Sequence, residues 1–487
     1  MVNPTARKFP TPPISSSEAR PGIAGEREPY RADRQFPNGE VHRLPKKLEA
    51  VTHPARHWGT DPRRPGGVIC RLSPRHCRIA EGRLGFCGVR KNLGGKLVSL
   101  NYGKMVHPTE EVIETEAVNH FSPGERILSL GNIGCMMVCD FCHNWKTSQA
   151  RLAEDKDIEA RTPEEIVALA VRLGIRILSW TYNDPVVWHE FVVDTARLAR
   201  KSGILNLYKS AFYISPDAVE ELIEVMDIFS LSLKSMDPRF YLKFTGGRLE
   251  PILDGIKQVH VSGRHLEVSN LMVTGRNDSL SEAAKVARWM LDNLDCKVPL
   301  HYVRFHPDFK YANAARTPIA ALEAARHQAK EMGLENVYLG NVLEHEGCNT
   351  VCACGNLLVR RIGALSEHAL DPSGSCPACG RRSAIKLLPP RAGEADDGAP
   401  PAPDSLSLDH IWEPDKISVH IQAADGSGIV FQSLDEEGRP IGGFRKSMSR
   451  RFLVARGGIR EERLRIYYKD AAPKVMPLLD RANFPVD

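Results

Sequence analysis

The pattern of apolar and polar residues changes near residue 126, where two kinds of segment begin to alternate. Short runs such as RILSL, RILSW and IFSLSL are nearly continuously apolar, whereas TPEEIVALAVRLG and SLSEAAKVARWMLDNL carry apolar residues at i, i+3 and i+4. Buried parallel strands produce the first pattern, and amphipathic helices that cover them produce the second. We therefore predict an α/β fold of about six or seven β/α units, forming a partial or full (β/α) TIM-type barrel, with an open doubly wound sheet as the alternative.

Several segment boundaries can be predicted from single residues. Thr162, followed by Pro163 and Glu165, is typical of a helix start, because Thr and Glu can cap each other and proline fits the first turn. Gly174, Gly203 and Gly333 each follow an amphipathic stretch and predict its end. In either arrangement of the units, the chemistry is expected at the carboxyl ends of the strands.

Composition divides the rest of the chain. The first residues are rich in Pro, Arg and Glu without apolar periodicity, which is typical of a disordered arm. The last part contains KISVHIQ, GIVFQSL and RLRIYYK between turn-rich pieces, which predicts a small β-rich tail. The predicted organisation is a disordered arm at 1–60, a cysteine-bearing N-terminal segment at 61–125, the barrel at 126–345, a zinc-ribbon-like cysteine module at 346–388, a linker at 389–405 and a β-rich domain at 406–487.

Charge and cysteine content narrow the function. The chain has 487 residues, a formal net charge of +5 and 12 cysteines. The charge is small for this length, and no apolar run approaches the ~20 residues that span a bilayer, so we expect neither nucleic acid nor membrane as a partner. A secretory pattern is missing, and Glu18, Glu26 and Glu28 argue against a transit peptide, so a cytoplasmic protein is expected. Clustered cysteines then indicate reduced thiols that bind metal, not disulfides.

The central motif is Cys135, Cys139 and Cys142, directly after the first predicted strand. Three thiolates in one short loop can hold three corners of an iron–sulfur cluster. The loop has no fourth cysteine, so one iron would keep an open coordination site, as catalytic metal centres generally do. A zinc knuckle is the alternative, although it normally needs four ligands in paired short spacings.

Two further cysteine groups flank this motif. Cys352 and Cys354, with Cys376 and Cys379, resemble the paired knuckles of a zinc ribbon, with Cys348 as an alternative ligand because the first knuckle is CxC. The alternatives for these C-terminal cysteines are an auxiliary iron–sulfur cluster or no bound metal.

The N-terminal group contains Cys70, Cys77 and Cys87. These three thiols could bind a metal with His76 as a fourth ligand, or they could be inert cysteines packed against the barrel.

The stretch HFSPGERILSLGNIGCMMVCDFCHNWKTSQ resembles the radical S-adenosylmethionine (SAM) superfamily. It is similar to the AmmeMemoRadiSam-system branch, close to pyruvate formate-lyase activating enzymes, and the similarity extends roughly from Cys70 to Arg382. The resemblance implies a [4Fe–4S] cluster on Cys135, Cys139 and Cys142 that binds SAM and cleaves it to methionine and a 5′-deoxyadenosyl radical. It also implies an electron donor such as flavodoxin or ferredoxin.

The resemblance extends to the residues around SAM. Phe141 matches the aromatic position near the adenine, and Asn183 and Asp184 match the segment that meets the SAM amino group. Ser232 stands where relatives have the aspartate of an Asp-Leu-Lys motif, and Lys234 matches its lysine. Asn183 and Asp184 could instead form an ordinary turn, and Lys234 could be a solvated strand-end lysine.

A strand-end histidine near SAM in activating enzymes is matched by His301 or His306, although either could be structural. The resemblance thus implies catalytic roles for Lys234, His301 and His306.

Some positions depart from the relatives. Lys209, Ser210 and Ala211 lie where relatives have Thr-Asn-Gly, Asp184 replaces a glutamate and His143 a glutamine. We therefore infer the SAM-cleavage reaction from the relatives but not their substrates. We favour hydrogen abstraction from a small-molecule or peptide substrate. The alternatives are an activating enzyme that generates a glycyl-type radical on a partner protein, and a non-catalytic metal- or nucleic-acid-binding protein, which the lack of a basic, aromatic-interleaved stripe disfavours.

Overall fold

The computed structural model describes residues 44–343, 345–362, 365–371 and 373–389, together with seven strands between residues 406 and 477. Its central feature is an eight-stranded sheet. The strands of this sheet are β1 (Thr109–Val112), β2 (Arg126–Gly131), β3 (Ile177–Thr181), β4 (Leu205–Ser210), β5 (Ile228–Ser232), β6 (His265–Met272), β7 (Leu300–Arg304) and β8 (Val337–Gly340).

The sheet is mixed and open. Its order is β8-β7-β6-β5-β4-β3-β2-β1, and β1 pairs antiparallel with β2 while the other seven strands run parallel. Among the described residues β1 and β8 do not pair with each other, so the sheet does not close into a full barrel. Its strands follow one another in chain order without the reversal of a doubly wound sheet, so that alternative is wrong as well. The parallel strands have almost wholly buried side chains, as expected for a sheet covered by helices.

Six helices of ten or more residues connect the parallel strands: α1 (Pro163–Arg172), α2 (His189–Lys201), α3 (Pro216–Val225), α4 (Glu250–Val261), α5 (Leu280–Asn293) and α6 (Ile319–Glu331). The predicted start of α1 is confirmed, because Thr162 and Glu165 form a capping box. The three predicted stop glycines all have positive φ, with values of +64° at Gly174, +73° at Gly203 and +115° at Gly333. No helix in the described part of the chain is long and apolar enough to cross a membrane.

Short elements complete the barrel region. They are the strand pair Lys104–Met105 and Glu159–Ala160, helices Trp145–Ser148 and Pro238–Phe240, a π-helical turn Tyr241–Thr245, and 3₁₀ turns Ile113–Glu116, Asp155–Asp157, Pro185–Trp188, Phe309–Tyr311 and Glu346–Cys348.

The N-terminal boundaries differ from the prediction. Residues 46–60, which the sequence places in the disordered arm, form regular structure, while residues 1–43 lie outside the described residues. Leu48 is fully buried and Trp58 packs against the core. Apolar residues are too sparse here to form a periodic pattern from which these elements could be predicted. The N-terminal segment contains helix Lys46–Glu49 and two small sheets. One sheet consists of His53–Pro54, Lys96–Ser99 and Arg90–Leu93, and the other of Trp58–Thr60, Val68–Cys70 and Arg78–Ile79. Strand β1 also precedes the predicted start of the barrel.

The C-terminal cysteine module contains strands Thr350–Val351, Leu357–Ile362 and Leu365–His368. It packs against the segment between β1 and β2, where the Arg361 guanidinium donates to the Asn119 carbonyl (2.7 Å) and the Ser122 amide donates to the Lys386 carbonyl (2.7 Å). The predicted linker lies outside the described residues, apart from Pro389.

Beyond that linker the backbone forms two antiparallel sheets. One sheet consists of Leu406–Glu413, Lys416–Ala423 and Ser449–Ala455, the other of Arg445–Ser447, Ile429–Leu434, Arg463–Tyr467 and Lys474–Pro477.

Candidate functional site

The loop after β2 carries the three central cysteines, and a glycine sets its path. Gly134 has a φ of +95°, and a Cβ there would lie 2.8 Å from Val89 Cγ1 and 3.0 Å from the Cys87 carbonyl oxygen. Only glycine therefore allows the loop to turn this close to the N-terminal segment. The loop is anchored on its far side as well, because the Val138 amide donates to the Thr245 carbonyl (3.0 Å).

The thiols of Cys135, Cys139 and Cys142 are half-buried in this loop. Burial raises the pKa of all three, that of Cys139 to about 12, although the nearby Lys234 ammonium partly offsets this for Cys139 and Cys142. The Lys234 ammonium alone does not offset the effect of burial on these thiols, and iron ions would supply the positive charge that favours their ionised form. The donor set therefore fits an iron–sulfur cluster.

Asp184 lies at the end of β3 and is almost fully buried. Its Oδ1 accepts hydrogen bonds from Ser210 Oγ (2.7 Å) and the Val186 amide (3.3 Å), and its Oδ2 accepts one from the Ala211 amide (2.8 Å). Burial raises its pKa, and these bonds oppose the rise. Asp184 therefore caps the 3₁₀ turn that follows β3, and its charge also acts on the Cys135 and Cys139 thiols.

Asn183 ties the β3 loop to the cysteine loop. Its Nδ2 donates to the Asn132 carbonyl (2.5 Å), and its Oδ1 accepts a hydrogen bond from Thr147 Oγ1 (3.3 Å). Asn132 in turn donates to the Asp184 carbonyl (3.2 Å). Asn183 therefore positions the two loops relative to each other through buried polar contacts.

Phe141 and Lys234 come together beside the cysteines. The Phe141 ring is buried against Phe240 (5.9 Å between centroids), and Lys234 Nζ lies 6.0 Å from the Phe141 centroid. The Lys234 backbone is fixed because its amide donates to the Tyr241 hydroxyl (2.9 Å). A cation over an aromatic face is favourable, so this pair forms one wall of the site.

Ser232 lies at the end of β5, and its hydroxyl is 3.1 Å from Ser269 Oγ. Lys209 joins the same group from β4, since its Nζ donates to Ser230 Oγ (3.0 Å) and Ser269 Oγ (3.1 Å). Burial lowers the pKa of Lys209 to about 8. Sequence reasoning noted Lys209 only as a departure from relatives and did not recognise its place in this cluster.

The two candidate histidines, His301 and His306, lie in different parts of the fold. His301 is the second residue of β7, not its last, and its Nε2 lies 2.7 Å from Glu267 Oε2 in the buried interior. Burial lowers the pKa of His301. Burial alone would raise the pKa of Glu267, but hydrogen bonds from His265 and His301 hold it well below its usual range. His301 therefore belongs to a buried polar network below the strand ends, which corrects the prediction of a strand-end position.

His306 follows the end of β7 and is exposed. Its backbone carbonyl accepts a hydrogen bond from His143 Nε2 (2.7 Å), and the two rings lie 5.5 Å apart. Since His143 directly follows Cys142, this contact brings the β7 loop to the cysteine loop.

Glu116 is a further interior group that the sequence did not reveal. It comes from the 3₁₀ turn after β1 and accepts hydrogen bonds from Thr181 Oγ1 (2.7 Å) and Ser179 Oγ (2.9 Å). Burial raises its pKa to about 7. No sequence signal marks it, because IETE resembles any solvated turn.

The C-terminal module brings four cysteines together at one point. The sulfur atoms of Cys352, Cys354, Cys376 and Cys379 all lie within 4.8 Å of one another. Cys352 and Cys379 are 3.7 Å apart, as are Cys354 and Cys376. Cys348 is not part of this group, since its buried thiol donates to the Leu339 carbonyl (3.4 Å), so the alternative ligand is wrong.

Comparisons with known proteins agree with this site. Residues 131–290 match the family model described as the Radical SAM superfamily. The chain is 39% identical over 323 residues to the uncharacterized protein MJ0808 of Methanocaldococcus jannaschii, covering 66% of this chain and 96% of that protein.

Two more distant similarities cover less. The pyruvate formate-lyase-activating enzyme of Listeria monocytogenes is 25% identical over 164 residues, or 31% of this chain and 64% of that enzyme, so the chain spans less than two thirds of that enzyme. Among solved structures, Streptococcus suis SuiB bound to S-adenosylmethionine matches with a TM-score of 0.35 and 13% identity, over 47% of this chain and 52% of that one.

Proposed function

Because this chain belongs to the radical SAM superfamily, whose members are enzymes, we propose that it cleaves SAM reductively and abstracts hydrogen from a small-molecule or peptide substrate. The observation that carries this proposal is the trio of buried thiols of Cys135, Cys139 and Cys142 at the carboxyl edge of a parallel sheet. When bound there, a [4Fe–4S] cluster and SAM supply the 5′-deoxyadenosyl radical. A cytoplasmic location agrees with cysteines that must stay reduced.

Asp184 is suited to receive the ammonium of SAM. A carboxylate offers about four lone-pair sites, and three are used by Ser210, Val186 and Ala211. One site on Oδ2 remains for a charged donor, and charge-assisted hydrogen bonds of this kind are strong. Asn183 holds this loop against the cysteine loop, so the two halves of the SAM site are positioned together.

The wall formed by Phe141 and Lys234 is assigned to the adenine side of SAM. Ser232, Lys209 and Ser269 then line the interior next to it, where hydroxyls and an ammonium favour a polar or anionic substrate group. His306 lies at the rim and His301 beneath, so among the two we assign contact with SAM or substrate to His306.

A second candidate function is activation of a partner protein by formation of a glycyl-type radical. The names of the curated relatives favour it, since they include activating enzymes of pyruvate formate-lyase and of (2S)-3-sulfopropanediol dehydratase. Either function requires a one-electron donor, for which flavodoxin or ferredoxin is proposed.

The experiment is SAM cleavage by anaerobically reconstituted full-length protein with a strong reductant. Wild type should release 5′-deoxyadenosine, Cys139→Ala should not, and Cys296→Ala, at an isolated cysteine, should behave as wild type. Protein with a full cluster that never cleaves SAM would overturn the proposal. To separate the two candidates, the low-molecular-weight and protein fractions of a deuterated cell extract are offered separately. Deuterium should reach 5′-deoxyadenosine from the first fraction, whereas transfer only from the second favours the activating enzyme.

For the C-terminal cysteines we propose structural zinc. Tetrahedral coordination with Zn–S bonds of about 2.3 Å places sulfur atoms about 3.8 Å apart. The 3.7 Å separations of Cys352–Cys379 and Cys354–Cys376 agree with this value. Elemental analysis should find about one zinc per chain.

A further inference from the structure

A separate cavity lies in the N-terminal segment, behind the cysteine loop. The space inside it that a water molecule can occupy is about 20 Å³, within about 340 Å³ of empty space that includes open solvent, and its lining includes Cys70, Cys77, Cys87 and Ser73. Met136, the neighbour of Cys135, forms part of its wall. The three thiols lie within 18 residues of one another in the chain, and the fold places all three around one space next to the cysteine loop.

Two guanidinium groups also line this cavity, and each has an unused donor. The Nε atoms of Arg75 and Arg90 are buried and have no hydrogen-bond partner. The Nη2 atoms of both are engaged, because that of Arg75 donates to the Met136 carbonyl (2.9 Å) and that of Arg90 to both oxygens of Glu190 (2.6 and 2.7 Å). Buried unpaired N–H donors are rare and costly, which indicates an acceptor that completes the site.

The spacing of the thiols argues against a single metal ion. Within the described chain, only two sets of three or more ligand atoms lie within 4.8 Å of one another, namely the four C-terminal cysteines and His57–His189–Glu221. Cys70, Cys77 and Cys87 are in neither set, like the three cysteines of the loop after β2. A group larger than one ion is needed to bridge them.

We propose that this cavity binds a second [4Fe–4S] cluster, with Cys70, Cys77 and Cys87 as thiolate ligands and the Ser73 hydroxyl at the fourth corner. The thiolates bring negative charge into a buried site, and Arg75 and Arg90 compensate it while donating their free N–H groups to sulfur. His76 is exposed and does not line the cavity, so Ser73 replaces it as fourth ligand. This site does not depend on the proposed reaction.

The test uses full-length protein in which Cys135, Cys139 and Cys142 are all replaced by Ala. After anaerobic reconstitution this variant should retain about four iron and four sulfide ions per chain, with the Mössbauer spectrum of a [4Fe–4S] cluster. Adding Cys70→Ala and Cys87→Ala should remove them, whereas adding Cys376→Ala and Cys379→Ala should not. Iron-free protein, iron that depends on Cys376 and Cys379, or zinc bound at Cys70 and Cys87 would each overturn the proposal.

Ser73→Cys keeps the test decisive even if loss of Cys70 and Cys87 prevents folding. In the same background it should preserve the iron content but change the EPR spectrum of the reduced cluster, because a thiolate replaces an oxygen ligand. An unchanged spectrum would show that Ser73 is not a ligand. A Cys296→Ala variant, whose cysteine is remote from the cavity, serves as the control.

Discussion

The loop after β2 and the C-terminal module both present cysteines, but they hold them differently. In the module four sulfur atoms converge within 4.8 Å, and each half is a local turn in which a glycine amide donates to a cysteine carbonyl, Gly355 to Cys352 and Gly380 to Cys376, both at 2.8 Å. In the loop three thiols stay apart and depend on contacts with other elements, such as that of Val138 with Thr245.

This difference distinguishes the proposed zinc site, which is closed, from the proposed cluster site, which is open. Four converging ligands fill the coordination of one ion and leave no place for a substrate. In the proposed cluster site, three thiols beside Asp184 and Lys234 would leave one iron open, with charged groups next to it for SAM. Each knuckle of the module is shaped by its own turn, whereas the cysteine loop is held by contacts with other elements at the edge of the sheet.

The largest difference between the two sites is expected when one ligand is removed from each. Cys139→Ala should reduce 5′-deoxyadenosine formation to background, because the cluster loses one of its three protein ligands. Cys379→Ala should leave the cluster's absorption spectrum and SAM cleavage in place. If Cys379→Ala abolished cleavage as completely as Cys139→Ala, the two sites would not be functionally separate.

Removal of two ligands from the module tests its structural role. Cys376→Ala with Cys379→Ala should release the zinc and lower the free energy of unfolding by several kcal/mol, because structural zinc contributes directly to folding. Thermal unfolding with zinc analysis measures both quantities, and Cys296→Ala is the matched control. Unchanged stability on loss of zinc would contradict the assignment.

Asp184→Asn tests the proposed SAM site without altering the C-terminal module. Asparagine lacks the negative charge and one of the two acceptor oxygens, so it cannot serve Ser210, Val186, Ala211 and the SAM ammonium together. SAM affinity should therefore fall by about 1.5–3 kcal/mol, the scale of a hydrogen bond to a charged group. Isothermal titration at equal cluster content measures this, and zinc content should not change. Asp217→Asn, on the exposed first turn of α3, controls for loss of charge. Wild-type affinity in Asp184→Asn would mean that the residue forms only the turn.

A further expected effect concerns only the stability of the fold, at Glu116 in the sheet interior. Burial raises the pKa of the Glu116 carboxyl from 4.5 to about 7. Between these two pH values the carboxyl is protonated in the folded protein and ionised in the unfolded chain. The ionised carboxylate therefore destabilises the fold above about pH 7, and this cost disappears below about pH 4.5. Glu116→Gln should raise the free energy of unfolding by on the order of 2–3 kcal/mol at about pH 8, with the difference shrinking as pH falls.

Urea unfolding across this pH range provides the measurement. Glu164→Gln, on the exposed first turn of α1, should show no such trend. A pH-independent effect of Glu116→Gln would indicate lost hydrogen bonds with Ser179 and Thr181 as its cause.

Much of the fold could be predicted because its signals are local. The capping box at Thr162 and the stop glycines mark helix ends through contacts within a few residues. Strand β1 was missed because TEEV shows no apolar alternation and pairs only through its backbone with β2. The arm boundary was misplaced because burial of Leu48 depends on distant parts of the chain.

Spacing along the chain is enough to predict the α/β class, the cysteine loop at a strand end and the four cysteines of the module. The folded structure is needed to see that the sheet stays open, that His301 pairs with Glu267, 34 positions away, and that the Cys348 thiol donates to the Leu339 carbonyl instead of joining the module. It also gathered Cys70, Cys77 and Cys87 around one cavity with Arg75 and Arg90. The physical reason is that these choices depend on burial and partner geometry across the sheet, which no local pattern encodes.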